Sequence, residues 1–116
     1  MSYKIAVASS DGKVVNQHFG HSRQFIVFEV NDVGKWSVIE IRTTNPVCGM
    51  GEHNDSSMQK AVKLLSDCKI VLVSQIGYGA QQALKSEGIE AYIISNFIDI
   101  ALVEVVNYIG SKNYFE

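Results

Sequence analysis

This sequence has few cysteines, a small net charge and no long apolar run. The two cysteines, Cys48 and Cys68, form no Cys-x-x-Cys pair, which excludes the usual four-cysteine metal site, and we expect both thiols to be free. The formal charge of −2 and the isoelectric point near 5.9 exclude the basic footprint of a general nucleic-acid binder. No apolar run approaches the roughly 20 residues that span a bilayer. Because the N-terminus also lacks the layout of a signal peptide, we expect a cytoplasmic protein with no membrane partner.

What the chain does contain is enough apolar material for one folded domain. It has 116 residues, of which 47% are hydrophobic, and it shows no internal repeat and no low-complexity linker. A chain of this size can bury a core without disulfides. We therefore expect residues 1–116 to form a single domain.

The first part of the chain predicts three strands. Residues 3–9 are mostly apolar and partly β-branched, which is typical of a strand buried on both faces near the centre of a sheet. Residues 23–30 and 35–42 alternate in polarity on either side of the turn residues Asn31 and Gly34. These two segments predict an antiparallel hairpin.

The second part predicts helices that alternate with strands. A helix that begins at Asn54 or Asp55 and reaches about Ser66 has a single apolar stripe, formed by Met58, Ala61, Val62 and Leu65. Residues 69–74 and 90–95 read as strands, and the short helix between them ends at Gly88, a left-handed terminator.

A last helix completes the chain. Asn96 is its predicted cap and Gly110 its predicted end. Its predicted buried side consists of Ile98, Ala101, Leu102, Val105 and Ile109.

This order of elements, β-β-β-α-β-α-β-α, predicts an α/β fold. We expect a mixed five-stranded sheet, with three antiparallel strands followed by βαβ crossovers and with three helices on its faces. The first strand should be central and the fourth parallel to it. Ligands of open α/β sheets bind beyond the strand ends, where the connection direction changes. The loops after strands one, three and four should meet there.

Metal-ligating side chains concentrate in two of these loops. The loop after strand three carries Cys48, Met50 and His53 on a backbone that contains two glycines, and the loop after strand one carries His18 and His21. Thiolate and imidazole are soft and borderline ligands that bind iron and zinc. We therefore predict His18, Cys48 and His53 as metal ligands. Met50 is a weaker candidate, because methionine more often fills gaps in packing.

His21 and Gly77 extend this predicted site to a bound cofactor. His21 lies beside the start of the second strand, and Gly77 precedes a helix whose first amides can face anionic cargo. A simple tight turn is the alternative for Gly77. The basic side chains of Lys13, Arg23 and Arg42 could balance the charge of a negative cluster. The alternative for each is an ordinary solvent-exposed position. We expect Phe19 and Cys68 to be core residues outside the site.

The chain resembles the dinitrogenase iron-molybdenum cofactor biosynthesis proteins, which include NifX- and NafY-like proteins and the C-terminal domain of NifB. The resemblance covers essentially the whole chain. It rests on the opening Ile-Ala-Val-Ala-Ser-Ser-Asp-Gly, the His18-Phe19-Gly20-His21 segment, the loop from Cys48 to His53, and Val-Leu-Val-Ser followed by Gly-Tyr-Gly. It implies an RNase H-like fold and the binding of iron-sulfur or iron-molybdenum cofactor precursors during nitrogenase assembly.

One thiolate with scattered imidazoles is a sparse ligand set, which suits a preassembled cluster that must be passed on. We therefore expect a non-catalytic carrier with metallocluster donor and acceptor proteins as partners. A purely structural or protein-binding domain is one alternative to the carrier, and two metal-binding functions are also open. One is a zinc- or redox-responsive module that uses Cys48 and the histidines. The other is a metal-dependent nuclease that uses Asp11 and Glu29, for which the carboxylate set is incomplete. The oligomeric state does not follow from the sequence.

Overall fold

The computed structural model describes residues 2–43 and 55–114. Within these residues the chain forms a short 3₁₀ turn at Phe19–His21, five strands and three helices. The strands are β1 Tyr3–Ala8, β2 Gln24–Val30, β3 Trp36–Thr43, β4 Ile70–Val73 and β5 Glu90–Ile93. The helices are α1 Asp55–Leu64, α2 Tyr78–Ser86 and α3 Ile98–Tyr114.

The strands form one mixed sheet in the order β3-β2-β1-β4-β5. Strand β2 pairs antiparallel with both β1 and β3, whereas β4 pairs parallel with both β1 and β5. The predicted central position of β1, its parallel partner β4 and the hairpin are therefore confirmed. Because β1, β4 and β5 run in the same direction, their carboxyl ends lie at one edge of the sheet. We call this the carboxyl edge.

Two apolar cores cover the two faces of the sheet. Successive side chains of a strand point to opposite faces, so β1 contributes Ala6 and Ala8 to one core and Ile5 and Val7 to the other. The first core lies under α1 and α2, and it includes the predicted α1 stripe of Met58, Ala61, Val62 and Leu65. The second lies under α3 and contains every side chain predicted for its buried face: Ile98, Ala101, Leu102, Val105 and Ile109.

Helix α2 ends as its sequence predicts. Gly88 has a φ of +78°, a left-handed conformation that glycine adopts without a steric penalty. Its amide donates to the carbonyl of Lys85, and the amide of Ile89 donates to the carbonyl of Leu84. These two bonds form a Schellman motif, which satisfies carbonyls that the helix end leaves free.

Both predicted ends of α3 were wrong in detail. The helix continues through Gly110 to Tyr114. It begins at Ile98, so Asn96 lies one residue before the cap position, and its Oδ1 accepts a hydrogen bond from the amide of Phe97. The amide of Ile98 instead donates to the carbonyl of Lys13, 2.8 Å away. A tertiary contact therefore does part of the capping that the sequence assigned to Asn96.

Among the described residues, no helix is both long and apolar enough to cross a bilayer.

Candidate functional site

The loop after β1 is joined to the end of β4 at the carboxyl edge. His18 and Gln75 form a parallel bridge outside the main strands. The amide of Phe19 donates to the carbonyl of Gln75 at 2.8 Å, and the amide of Ser74 donates to the carbonyl of Gln17 at 3.0 Å. These bonds hold the histidine-bearing loop directly beside the turn that leads to α2.

Phe19 fastens the same loop to the core. Its side chain is 1% exposed and belongs to the core under α1 and α2. Its ring lies 5.7 Å from the ring of Phe25, measured between centroids. The prediction that Phe19 is a core residue is confirmed. Because the aromatic side chain is buried here, the backbone of its neighbours, the half-buried His18 and the buried Gly20, is held in a fixed position.

His18 caps the 3₁₀ turn. Its Nδ1 accepts a hydrogen bond from the amide of Gly20 at 2.9 Å, and its backbone has the extended conformation of a cap residue. The ring is half-buried and stacks on the ring of His21, with 4.7 Å between centroids and 28° between planes. Burial lowers the pKa of His18 below its ordinary value, and the neighbouring charge on His21 lowers the pKa further.

His21 has a different environment. Its side chain is exposed, and neither ring nitrogen has a hydrogen-bond partner among the described residues. The two imidazoles are thus stacked beside each other on an anchored turn, with one engaged by the backbone and the other open. Their predicted role as cofactor ligands stays a prediction.

Hydrogen bonds shape the rest of the loop after β1. Asp11 accepts from the amides of Lys13 and Val14 at 2.9 and 3.1 Å and from the hydroxyl of Ser9 at 3.2 Å. The two backbone bonds, in that order, keep the pKa of the Asp11 carboxyl below its ordinary value. Gln24 ties the loop to β2, because its side-chain amide donates to the carbonyl of Ser9. Asp11 therefore serves as a turn-forming acceptor.

The sheet keeps Asp11 apart from the other carboxylate that a nuclease would use. Glu29 lies opposite Lys4, near the start of β1. Ala8, the last residue of β1, is four positions further on, which corresponds to about 13 Å along a strand. Asp11 follows beyond Ala8. The two acidic residues considered for phosphoryl chemistry are thus near opposite edges of the sheet.

Gly77 lies where the sequence placed it, immediately before α2. It occupies the cap position with no side-chain hydrogen bond, and a Cβ at Gly77 or at Gly79 would meet nothing within 4 Å. Tyr78 between them is 77% exposed. The start of α2 is therefore open to a guest, two residues after the Gln75 carbonyl that holds the histidine loop. Cofactor binding by Gly77 stays a prediction.

Cys48, His53 and Met50 lie outside the described residues. The chain enters that segment from Thr43, which pairs with Gln24 at the carboxyl edge. Across residues 2–43 and 55–114, no group of three or more histidine, cysteine, aspartate or glutamate side chains is arranged to hold a metal ion. The predicted ligation by Cys48 and His53 consequently stays a prediction.

Arg42 has a structural role that the sequence did not reveal. Its side chain is 12% exposed, and its guanidinium bonds both carboxylate oxygens of Asp67 at 2.6 and 2.8 Å. It also donates to Glu40 at 2.7 Å and to the carbonyl of Leu64 at the end of α1. The expectation that Arg42 is a solvated residue was wrong, and its predicted role beside anionic cargo stays a prediction. Lys13 and Arg23 are exposed, as expected.

Cys68 is a core residue, as predicted. Its side chain is 4% exposed, and burial raises the pKa of its thiol to about 12, with the nearby Asp67 carboxylate acting in the same direction. A thiol in this state is a poor nucleophile and a poor metal ligand.

The described surface also has cavities that are not lined by histidine. One of about 340 Å³ is lined by Tyr92, Tyr108, Glu104 and three apolar residues, and one of about 910 Å³ is lined in part by Tyr3 and Lys69. Neither is lined by a histidine or a cysteine. Side-chain chemistry, and not cavity volume, therefore selects the carboxyl edge as the candidate site.

Two residues of the site were missed at the level of sequence. Gln75 and Gln17 hold the histidine loop through backbone carbonyls, which any residue type could supply. The only signal in the sequence for the role of Gln75 is its position directly after a buried strand. Together these contacts define the class of protein: a small α/β domain whose candidate ligand-binding residues lie at the carboxyl edge of a mixed sheet.

Comparison with known proteins identifies the family. Residues 1–107 match the model of the family described as dinitrogenase iron-molybdenum cofactor, and the chain belongs to that family. The FeMo cofactor biosynthesis protein NifB of Frankia alni is 36% identical over 104 residues, which cover 87% of this chain and 20% of that protein. NifB of Azotobacter vinelandii is 34% identical over 91 residues, covering 74% and 18%. This chain thus spans about a fifth of the length of these curated relatives.

Solved structures agree with the fold. The apo form of the orange protein from Desulfovibrio gigas superposes with a TM-score of 0.63 and covers 90% of this chain and 88% of its own. Its sequence identity is 18%, so the similarity establishes the shared fold alone.

Proposed function

We propose that this domain is a non-catalytic carrier that binds an iron-sulfur or iron-molybdenum cluster precursor as cargo and passes it from a donor protein to an acceptor protein. The observation that carries the proposal is the stacked His18 and His21 pair, fixed at the carboxyl edge by the buried Phe19 and the bond to Gln75. Membership in a family described by the iron-molybdenum cofactor supports the choice of cargo.

The predicted ligands match such cargo in chemical type. Imidazole nitrogen is a borderline ligand for iron, and the predicted thiolate of Cys48 is a soft one. The open start of α2 at Gly77 presents backbone amides, which favour a negatively charged guest. A cluster held by few protein ligands exchanges more readily than one held by four cysteines, and this is the behaviour that a carrier requires.

The role of the whole NifB protein in FeMo cofactor biosynthesis is not part of this proposal, because this chain corresponds to about a fifth of its length. We also propose that the fold is of the RNase H-like type that the family resemblance implies. The order β3-β2-β1-β4-β5, with an antiparallel half and a parallel half, supports this assignment.

Anaerobic reconstitution tests the carrier proposal. The purified protein is treated with ferrous iron and sulfide, desalted, and examined by absorption spectroscopy and by elemental analysis for iron, sulfide and zinc. We expect a coloured species that contains iron and sulfide, with most of it lost in Cys48→Ala. Cys68→Ala is the matched control, because that thiol is buried in the core, and it should load like the wild type.

The results separate the alternatives. Zinc without colour would favour the zinc-responsive module, and a wild-type protein that takes up no metal would contradict the carrier proposal. Full loading of Cys48→Ala would show that the Cys48 thiolate is not a ligand, while the carrier proposal would stand.

A second assay tests transfer and excludes catalysis. Loaded protein is mixed with a cluster-free acceptor and separated by gel filtration, and we expect the iron and sulfide to elute with the acceptor. Incubation with Mg²⁺ and nucleic acid should give no cleavage. Cleavage that disappears in Asp11→Ala would favour the nuclease alternative.

A further inference from the structure

The hydrogen bond that His18 accepts determines which of its ring nitrogens carries the proton. The amide of Gly20 donates to Nδ1 at 2.9 Å, so Nδ1 must present its lone pair. A neutral imidazole has one protonated nitrogen and one lone pair. The proton of His18 is therefore on Nε2, and the only lone pair of the ring is engaged by the backbone.

This arrangement is the reverse of a usual metal-binding histidine. A histidine that binds metal through one nitrogen donates the N–H of the other nitrogen to an acceptor, which fixes the ring and makes the ligand more basic. His18 accepts at Nδ1 instead, so metal binding at Nε2 would require an imidazolate, and metal binding at Nδ1 would break the cap. The Nε2–H of His18 has no partner among the described residues.

His21 complements this geometry. Its exposed ring has no hydrogen bond to either nitrogen among the described residues, so a lone pair is available. Its centroid lies 4.7 Å from that of His18, which puts both rings within reach of one guest. The pair therefore offers one N–H donor and one free nitrogen lone pair.

We propose that His18 binds the cargo as a hydrogen-bond donor through Nε2–H, whereas His21 is the imidazole that binds metal. This assignment rests on the proposed carrier function. The cargo it selects is a cluster with exposed sulfide, because sulfide and anionic terminal ligands accept hydrogen bonds. Such bonds to cluster sulfur also change the reduction potential of the cluster. His18 is thus a specificity-determining residue, in place of the metal ligand that its sequence predicts.

The first experiment needs no cargo. Long-range proton–nitrogen correlation NMR of the imidazole rings in the metal-free protein, at a pH where His18 is neutral, reports which nitrogen carries the proton. We expect the Nε2–H form for His18. A protonated Nδ1 would overturn the proposal.

The second experiment uses two substitutions that divide the functions of His18. Asn in His18→Asn places its Oδ1 near the position of Nδ1 and retains the cap, but it has no distal donor. Gln in His18→Gln is long enough to place an N–H near the position of Nε2, but it loses the cap. We expect the affinity for the iron-sulfide species to fall about tenfold in His18→Asn, as for the loss of one hydrogen bond to a charged group, and to be partly retained in His18→Gln. His21→Ala should lose most of the bound cluster.

A redox titration of the loaded proteins adds a readout that a purely structural role would not change. Loss of an N–H donor to sulfide should make the potential of the bound cluster more negative in His18→Asn than in the wild type. If His18→Asn matches the wild type in affinity and potential, His18 is only a cap and the inference is wrong, although the carrier function stands. If both His18 variants lose cluster binding completely, the result would indicate that His18 is a metal ligand, and the inference would be wrong. If the wild type loads no cluster, the carrier function fails, whichever nitrogen the NMR spectrum shows to be protonated.

Discussion

Phe19 is the side chain that connects the candidate site to the core, and its removal gives a quantitative test. Phe19→Ala deletes an aromatic ring that is 1% exposed and packed near Phe25. Substitutions of this type in a core cost about 3 to 5 kcal/mol, from lost burial and from the cavity that remains. With a total stability of roughly 5 to 15 kcal/mol for a domain, the variant should stay folded but be clearly weakened.

Urea unfolding measures this loss. With a slope near 2 kcal/mol per molar urea, a loss of about 4 kcal/mol moves the midpoint down by about 2 M. Phe19→Leu is the matched control, because it keeps an apolar side chain of similar volume and should cost less than about 1.5 kcal/mol. The difference between the two variants measures the contribution of apolar side-chain bulk at this position.

Amide exchange locates the effect. The amide of Gly20 donates to His18 inside the turn that Phe19 holds, so it should exchange faster in Phe19→Ala than in Phe19→Leu. A loss below about 1 kcal/mol, with unchanged exchange at Gly20, would refute the reasoning. In that case the histidine turn would be held by its backbone bonds to β4, and the aromatic ring would be dispensable.

Three further predictions concern contacts outside the histidine turn. Asp67→Asn should cost about 1 kcal/mol at pH 7, a low value because the Asp67 side chain is 45% exposed. The Arg42 guanidinium lowers the pKa of Asp67, so this contribution is present above about pH 4, the ordinary pKa, and is lost at lower pH. Urea titrations in which the two proteins differ equally at pH 7 and pH 3 would contradict the ion pair. In Cys48→Ala the remaining thiol, Cys68, should resist a thiol reagent until the protein is denatured, and rapid labelling of native protein would show that Cys68 is accessible. Gly88→Ala should lose about 1 kcal/mol in thermal unfolding because of its positive φ, and an unchanged melting temperature would argue against the left-handed helix end.

The features that the sequence predicted correctly depend on local periodicity. The alternation that predicted the hairpin of β2 and β3 and the apolar stripe of α1 recur at the spacing of a single element, so they can be recognised without knowing what packs on them. The end of α2 was equally local, because Gly88 needs only its own backbone conformation. The failure at Gly110 has the same origin. A glycine inside a helix costs about 1 kcal/mol, which the burial of Ile109 beside it can offset.

The features that were missed depend on contacts between distant segments. Arg42 and Asp67 are 25 residues apart, and only the folded chain shows that one neutralises the other. Gln75 acts through its carbonyl, so its side chain carries no signal. The role of His18 as a cap requires the 3₁₀ turn at Phe19–His21, a segment too short to have a periodic pattern. Nothing in the spacing of His18 and His21 indicated which ring would be engaged by the backbone.

The unequal environments of His18 and His21 bear on how a carrier releases its cargo. Two imidazole ligands would add two metal–nitrogen bonds that must break during transfer. With Nδ1 of His18 engaged by Gly20, only the ring of His21, of these two, has a lone pair to offer. In the proposed carrier, His18 would contribute a hydrogen bond that an acceptor protein could replace at smaller cost. The buried Phe19 keeps both rings in place before cargo arrives, so ordering the turn takes little from the binding free energy. In the proposed carrier, the turn would recognise a cluster through a fixed donor and hold it through few bonds to metal, and both properties would favour transfer over permanent retention.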